Sequence, residues 1–513
     1  MHWADEKAEN ALRDKGRENV VASGISPSGP IHYGNFREIL TADLLNKAIN
    51  DQDGDSKLIW VLDDYDPLRK VYPFLDSDYE KHVGKPLSKI PDPEGCHESY
   101  AEHYTSQFVD ALSDLGIEPA IHKASKMYKK GEYTEEIVKA LKNRSKIKKI
   151  IEEVTNRTIS ENWLPIKPIC QDCKNVSTTE AKDYEGKKVY YECECGYNGE
   201  ADIRNGEAKL PWRVDWPARW KILGVTVEPF GKDHAADGGS YDTGKRIAKE
   251  IYDYEPPYPV VYEQIALKGE GEMSSSEGIT LTPAKMLEFF PSEIIRYIIV
   301  RKKPNRHIEL DTGYGMLHLM DDFKEVEDAY YEEGEKEKSR IYELSLPEKN
   351  PRDSKPPQPP FKHLVNATQL VDNLDSIKSI LKRTGHWDDE YEDTWLNNRI
   401  KLIRNWLDWF APEDMKFEVK ENLPDKVEKL SKKQKKFLGK LADLLEENDY
   451  NDEQLNNKIF NTFQDMDMEA REAFESIYLA LLGRDSGPRA AWFILSLDTG
   501  FVINRFREAS KVN

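Results

Sequence analysis

Cysteine is scarce, with five in 513 residues, too few for a disulfide scaffold. Long apolar runs are missing as well: Ala490 to Leu495 is among the longest, whereas a membrane helix needs roughly 18 apolar residues. Positive charge is in deficit. Lys+Arg is 74 against Asp+Glu 94, a formal net charge of −20. That disfavours non-specific nucleic-acid binding over the whole surface, so no DNA partner is expected, yet it leaves room for a local basic face. An acidic surface also suits a high-salt environment. The first residues, Met1-His2-Trp3-Ala4-Asp5, lack the basic and apolar regions of a secretory signal. No membrane partner and a cytoplasmic location are expected.

At 38 % hydrophobic and 33 % charged residues the chain can build several cores, and roughly 150 residues per domain suggests about three domains. Glu18–Ile25 and Lys57–Asp63 read as buried strands, with a helix over Phe36–Asn50 between them. A helix near Tyr100–Leu115 precedes a third strand over Ala120–Ser125. Such alternation predicts an α/β fold with a doubly wound parallel sheet and a ligand at the strands' carboxyl ends. Ile166–Ile203 interrupts it as an inserted module, and the pattern resumes from Trp220 to about Leu267. Glu332–Pro360, charged and then Pro-rich (PPQPP), reads as a linker or exposed loop. From Phe361 onward only helices are expected, including Trp395–Phe410, Asp425–Glu447 and Glu469–Leu482. No internal repeat is visible.

Two loops carry phosphate chemistry. Gly24-Ile-Ser-Pro-Ser-Gly-Pro-Ile-His32-Tyr-Gly34-Asn35 joins the first strand to a helix. Its glycines permit close approach of the backbone to a ligand, and the helix N-terminus offers free N–H groups to an anion. Gly271-Glu272-Met273-Ser274-Ser275-Ser276-Glu277-Gly278 offers three hydroxyls in a Gly/Ser loop, suited to a lid over a triphosphate. Each segment alone also fits an ordinary loop.

Cys170-x2-Cys173 and Cys193-x-Cys195, nineteen residues apart, fit a tetrahedral zinc–thiolate site of structural type. Asp92, Cys96, His97 and His103 form a second four-ligand set within twelve residues. Read unaided, that set is either a zinc site or a cysteine beside surface histidines. Glu98 and Glu102 are alternative or supporting ligands. Lys142–Lys149, Arg301–Arg306 and Lys432–Lys440 are basic stretches that suit either nucleic-acid phosphates or a solvated helix face.

The two loops, in this order on this architecture, resemble the HIGH-type and KMSKS-type signatures of class I aminoacyl-tRNA synthetases. Asp63–Lys70, Ile90–Ser99, Trp212–Trp220 and Glu228–His234 narrow the resemblance, which covers nearly the whole chain, to the class I lysyl-tRNA synthetases. It implies a Rossmann-type (HUP-like) catalytic domain with an inserted zinc module, followed by an all-α anticodon-binding region. The implied division is catalytic 1–165, zinc module 166–205, catalytic 206–285, helical connection 286–345, linker 346–360 and anticodon-binding 361–513. The implied partners are ATP with Mg²⁺, L-lysine and tRNA(Lys), together with two zinc ions.

The resemblance places ATP on Pro27, Ser28, Gly29, His32, Gly34, Asn35 and Ser274–Ser276. The catalytic group is His32, Asn35 and Met273–Ser276. Lysine falls to Gly24, Ser26, Trp212, His234 and Tyr262, with Trp216 as the alternative in a shifted register. The second loop departs from the family pattern: Glu272 and Ser275 stand at the first and fourth positions, where lysines are usual, Glu277 follows the motif, and no lysine lies between Lys268 and Lys285. Lys268 is positioned to substitute from the preceding strand. A synthetase for another amino acid, such as glutamate, and a synthetase-like RNA-binding or regulatory protein without activation are the competing readings.

Overall fold

The computed structural model describes residues 1–269, 271–272, 281–332, 334–348, 350–388 and 390–512. Contacts divide the chain into two compact units. The first is Met1–Leu287 with Ser292–Asp311 and Glu325–Pro351. The second is Glu288–Pro291 with Thr312–Lys324 and Arg352–Asn513.

The first unit is built on a five-stranded sheet. After helix α1 (Trp3–Lys15) come strand β1 (Glu18–Ile25), helix α2 (Tyr33–Asp51), strand β2 (Asp55–Leu62), helix α3 (Tyr100–Asp114) and strand β3 (Ala120–Lys123). The strands Val227–Gly231 and Tyr258–Tyr262 complete the sheet on the other side of β1, so β1 lies at its centre. Every pairing in this sheet is parallel. The apolar run of β1 and β2 follows from burial on both faces, as a helix-covered parallel sheet requires. The chain reverses its direction of travel across the sheet between β1 and the Val227–Gly231 strand, the point at which open parallel sheets generally place a ligand, at the strands' carboxyl ends.

The inserted module is antiparallel. Thr179–Glu185, Lys188–Cys193 and Asn198–Asp202 form a three-stranded sheet, and Lys167–Pro168 pairs with Ala208–Lys209.

Two expectations shift and one alternative is resolved. The third strand ends at Lys123, because Asp64 accepts from the Ser125 backbone N–H at 2.7 Å and from its hydroxyl, and so starts a short helix there. Asp425–Glu447 is broken at Ser431, which forms a capping box with Gln434 at the start of Lys432–Glu447. Of the two readings of the stretch before 346, linker and helical connection, the helix is the one found: Lys336–Ser345 is helical, held by Arg340 on Asp5 (2.9 Å) and Asp51 (2.7 Å).

In the second unit all the assigned elements past Pro360 are helical. Lys432–Glu447 packs on Thr499–Lys511, and Trp406, Phe437, Trp492 and Phe493 are fully buried. No helix among the described residues is long and apolar enough to cross a membrane.

Candidate active site

His32 is the N-cap of α2, in extended conformation, and its side chain makes no capping hydrogen bond. Its Nδ1 is buried with no partner among the described residues, and burial lowers its pKa to about 4. The imidazole is therefore neutral near pH 7 and carries an unmet polar atom at a helix N-terminus, where anions bind. Gly34 and Asn35 form the first turn of the same helix. Pro27, Ser28 and Gly29 make the preceding turn. A Cβ on Gly29 would lie 2.5 Å from the Phe74 ring, so a larger residue there requires that exposed ring to move. The Ser28 carbonyl accepts from the Tyr100 hydroxyl at 2.7 Å, which ties this turn to α3.

Beside the turn lies an aromatic wall. Trp212 and Trp216 stack at 5.2 Å between ring centroids, and His234 lies 5.9 Å from Trp212 and 5.4 Å from Trp216. Trp216 is buried, and its indole N–H donates to Glu228 at 3.1 Å. Trp212 is the less buried of the pair, and its N–H reaches the Ser240 hydroxyl at 3.2 Å. Tyr262 ends its strand and donates to Glu38 at 2.7 Å; Gly24 donates its backbone N–H to the same carboxylate at 2.8 Å. The Ser26 hydroxyl donates to Asp66 at 3.1 Å, and Lys209 pairs with that aspartate from the inserted module.

Carboxylates dominate the floor. Arg219 is held by Asp63 and Asp215, and the Tyr128 hydroxyl also donates to Asp215. Burial raises the Glu228 carboxyl to about 8 despite two indole donors. Asp63, Asp66, Asp215 and Glu38 against Arg219 and Lys209 leave this network net negative, a surrounding that favours a cation.

The Met273–Ser276 segment lies outside the described residues. Lys268, the expected substitute for the missing lysines, is exposed and pairs with Asp311 at 2.9 Å. Of the basic stretches, Lys142–Lys149 is partly neutralised, with Lys146, Lys148 and Lys149 facing Glu250, Glu152 and Glu153 at 3.3 to 3.9 Å.

Both metal-ligand sets assemble. The four cysteine sulfurs lie within 4.8 Å of one another, with Cys170 3.7 Å from Cys195 and Cys173 3.6 Å from Cys193. This cluster has the composition of a structural zinc site. The ligand atoms of Asp92, Cys96, His97 and His103 also lie within 4.8 Å of one another. His103 Nδ1 is 3.0 Å from Asp92, and Cys96 is 3.0 Å from His97 Nδ1.

A family profile described as tRNA synthetases class I (K) matches residues 1–348. The lysine–tRNA ligase of Archaeoglobus fulgidus is 45 % identical over 511 residues, covering 99 % of this chain and 100 % of that protein. Lysine–tRNA ligase 1 of Methanosarcina acetivorans is 44 % identical over 537 residues, covering 100 % of this chain and 99 % of that protein. The chain belongs to the class I lysyl-tRNA synthetases. A crystal structure of a glutamate tRNA ligase from Elizabethkingia meningosepticum aligns over 96 % of this chain and 99 % of that one, with 12 % identity and a TM-score of 0.49.

Within this synthetase family member, the structure adds residues that spacing could not find. Glu38 bonds Tyr262 and Asp66 bonds Ser26, two of the expected pocket residues, and Glu228 accepts from Trp216. Ser106 contacts the far nitrogen of His97 at 2.8 Å, supporting the second ligand set. Glu102, an expected alternative ligand, is instead engaged by Lys123 at 2.5 Å. Ser106 lies nine residues from His97 on a helix, and its serine carries no compositional signal of that contact.

Proposed function

We propose that the chain activates L-lysine with ATP and transfers the lysyl group to tRNA(Lys). In the first step the lysine carboxylate attacks the α-phosphate, giving lysyl-adenylate and pyrophosphate. In the second, the 3′-terminal ribose hydroxyl of the tRNA takes the lysyl group and AMP leaves. No side chain acts as nucleophile, so catalysis rests on positioning and on stabilising charge at phosphorus. His32, Asn35 and the α2 N-terminus face the triphosphate, with Pro27, Ser28, Gly29 and Gly34 allowing close approach. Met273–Ser276 close over the nucleotide. Gly24, Ser26, Trp212, His234 and Tyr262 bind lysine, and Trp216 backs Trp212.

The four cysteines would hold one zinc. Asp92, Cys96, His97 and His103 would hold a second, since thiolate, imidazole and carboxylate at this separation match a tetrahedral ligand set. Mg²⁺ would accompany ATP and neutralise phosphate charge. Residues 361–513 would read the anticodon.

The observation that carries the amino-acid assignment is the net-negative carboxylate network beneath the aromatic wall, suited to a substrate with two ammonium groups. An ATP–pyrophosphate exchange screen over twenty amino acids tests it. Lysine alone should support fast exchange. Exchange with glutamate instead, or with none, overturns the assignment.

A further inference from the structure

We propose that the cavity between Arg157 and Arg213 binds a phosphate group, and that the 3′-terminal strand of tRNA supplies it. The proposal rests on the reading of the chain as a ligase of lysine to tRNA(Lys).

The cavity, about 320 Å³, lies where the end of the helix Arg144–Thr155 meets the turn at Asp237 and Gly238. Asn156 leaves that helix in left-handed conformation (φ 54°), and the next residue, Arg157, lines the cavity. Across from it, Gly238 has φ 77°, and a Cβ there would meet the Val154 carbonyl at 2.9 Å, so the walls close on glycine. Arg213 is fixed in place. Its Nη1 donates to the Gly239 carbonyl at 2.8 Å and the Thr243 hydroxyl at 3.1 Å, and its Nη2 donates to the Gly238 carbonyl at 3.2 Å. A guanidinium has five N–H groups, so two remain for a ligand while three hold the fork still.

Neither guanidinium has a carboxylate partner among the described residues. The acidic neighbours on the helix are engaged elsewhere: Glu152 accepts from the Ile159 N–H at 2.8 Å, and Glu153 pairs with Arg246 at 2.8 Å. Asp237 lines the cavity but is exposed, and its side chain can turn to solvent. Burial and then the Arg157 charge lower the Arg213 pKa, as expected of two cations sharing one site. In a chain of net charge −20, such a pair is matched by a phosphate, whose oxygens suit the planar fork. The surroundings indicate whose phosphate. Arg213 follows Trp212 of the aromatic wall, and the carbonyls it holds belong to the turn just after His234. The cavity therefore adjoins the proposed lysine pocket. In the second step the terminal ribose of tRNA must enter that pocket, which carries the preceding phosphates past its rim. A contact to one of them positions the strand without reading a base.

The test measures binding of tRNA(Lys) to wild type, Arg157→Ala and Arg157→Glu across a series of KCl concentrations. It uses the full-length transcript and one lacking its single-stranded 3′ end. At about 0.1 M KCl, Arg157→Ala should weaken full-length binding about three- to tenfold and Arg157→Glu more than about tenfold. The slope of log K against log[KCl] should fall by about 0.7 in Arg157→Ala, the share of one single-stranded phosphate. With the shortened tRNA all three proteins should bind within about twofold of one another. Full-length binding within about twofold of wild type in Arg157→Glu overturns the proposal. An equal loss with the shortened tRNA also overturns it, because the contact then lies elsewhere on the RNA. Calorimetric titration with inorganic phosphate separates the other source. Phosphate binding that Arg157→Glu abolishes while full-length tRNA binding holds makes this a free-anion site and overturns the tRNA assignment. Should Arg157→Glu fail to fold, Arg157→Ala decides by the same criteria. A wild type that neither binds nor charges tRNA(Lys) overturns the functional reading and the proposal with it. A wild type that charges tRNA(Lys), with variants that bind it equally well, overturns the proposal alone.

Discussion

His32 caps α2 with its backbone and leaves its ring for something else. A buried Nδ1 without a partner costs free energy unless a ligand meets it. Charge that develops on phosphate in the transition state is such a partner. His32→Ala should therefore slow adenylate formation by about 10²–10³, while equilibrium lysine binding changes little. Near-normal exchange removes His32 from the mechanism. Glu228 makes a separate prediction about stability. Its folded pKa is about 8, against 4.5 for an ordinary carboxyl. Below 4.5 both folded and unfolded forms are protonated. Between 4.5 and 8 the unfolded chain has lost the proton and the folded chain keeps it, so this group makes stability fall as pH rises across that window. Glu228→Gln removes the titration and should flatten that part of the stability–pH curve, measured by denaturant unfolding. An unchanged slope means that the indole N–H donors of Trp216 and Trp220 already keep Glu228 ionised.

At the scale of elements, α3 does two jobs. Its first turns carry His103 of the second ligand set and Tyr100, whose hydroxyl holds the Ser28 carbonyl. A metal on Asp92, Cys96, His97 and His103 would thus brace the turn that is proposed to face ATP. Metal analysis of the purified protein should return two zinc ions per chain, and Cys96→Ala should lose one while the four-cysteine module stays loaded. Tyr100→Phe should keep both and raise the ATP KM about three- to tenfold, the worth of one hydrogen bond. Loss of zinc in Tyr100→Phe, or an unchanged ATP KM, contradicts this coupling. The same scale shows what sequence could tell. β1, α2 and β2 were legible because apolar runs and a 3.6-residue period are local signals. Lys336–Ser345 was ambiguous between linker and helical connection, because Arg340 binds Asp5 and Asp51, more than 280 positions away in sequence. His32 and Trp212 lie in segments that the sequence singles out, and Tyr262 was added by the family resemblance. Glu38 was hidden, since a carboxylate in a chain this acidic has no local mark, whereas Asp66 and Glu228 lie within the family segments Asp63–Lys70 and Glu228–His234 without a contact being readable from them.

For the whole molecule the decisive number is −20. Like charges at that density repel across the surface and destabilise the compact state. Ion pairs oppose this, but many are exposed, such as Lys149–Glu153 and Lys188–Glu200, and pairs of this kind contribute about 0–1 kcal/mol each. Salt screens both effects, with a Debye length of about 10 Å at 0.1 M and about 3 Å at 1 M. Local pairs at contact distance lose less to screening than repulsion summed over longer distances. The balance therefore predicts that added salt raises the melting temperature. The check is a thermal scan at about 0.05, 0.2 and 1 M KCl at pH 7, with a chloride salt so that anion exclusion from the surface adds little. A rising midpoint that levels off once the Debye length falls below the spacing between charges supports self-repulsion. A falling midpoint would mean that the ion pairs outweigh the net charge, with the acidic surface held in place by networks such as Arg340 on Asp5, Asp51 and Glu343.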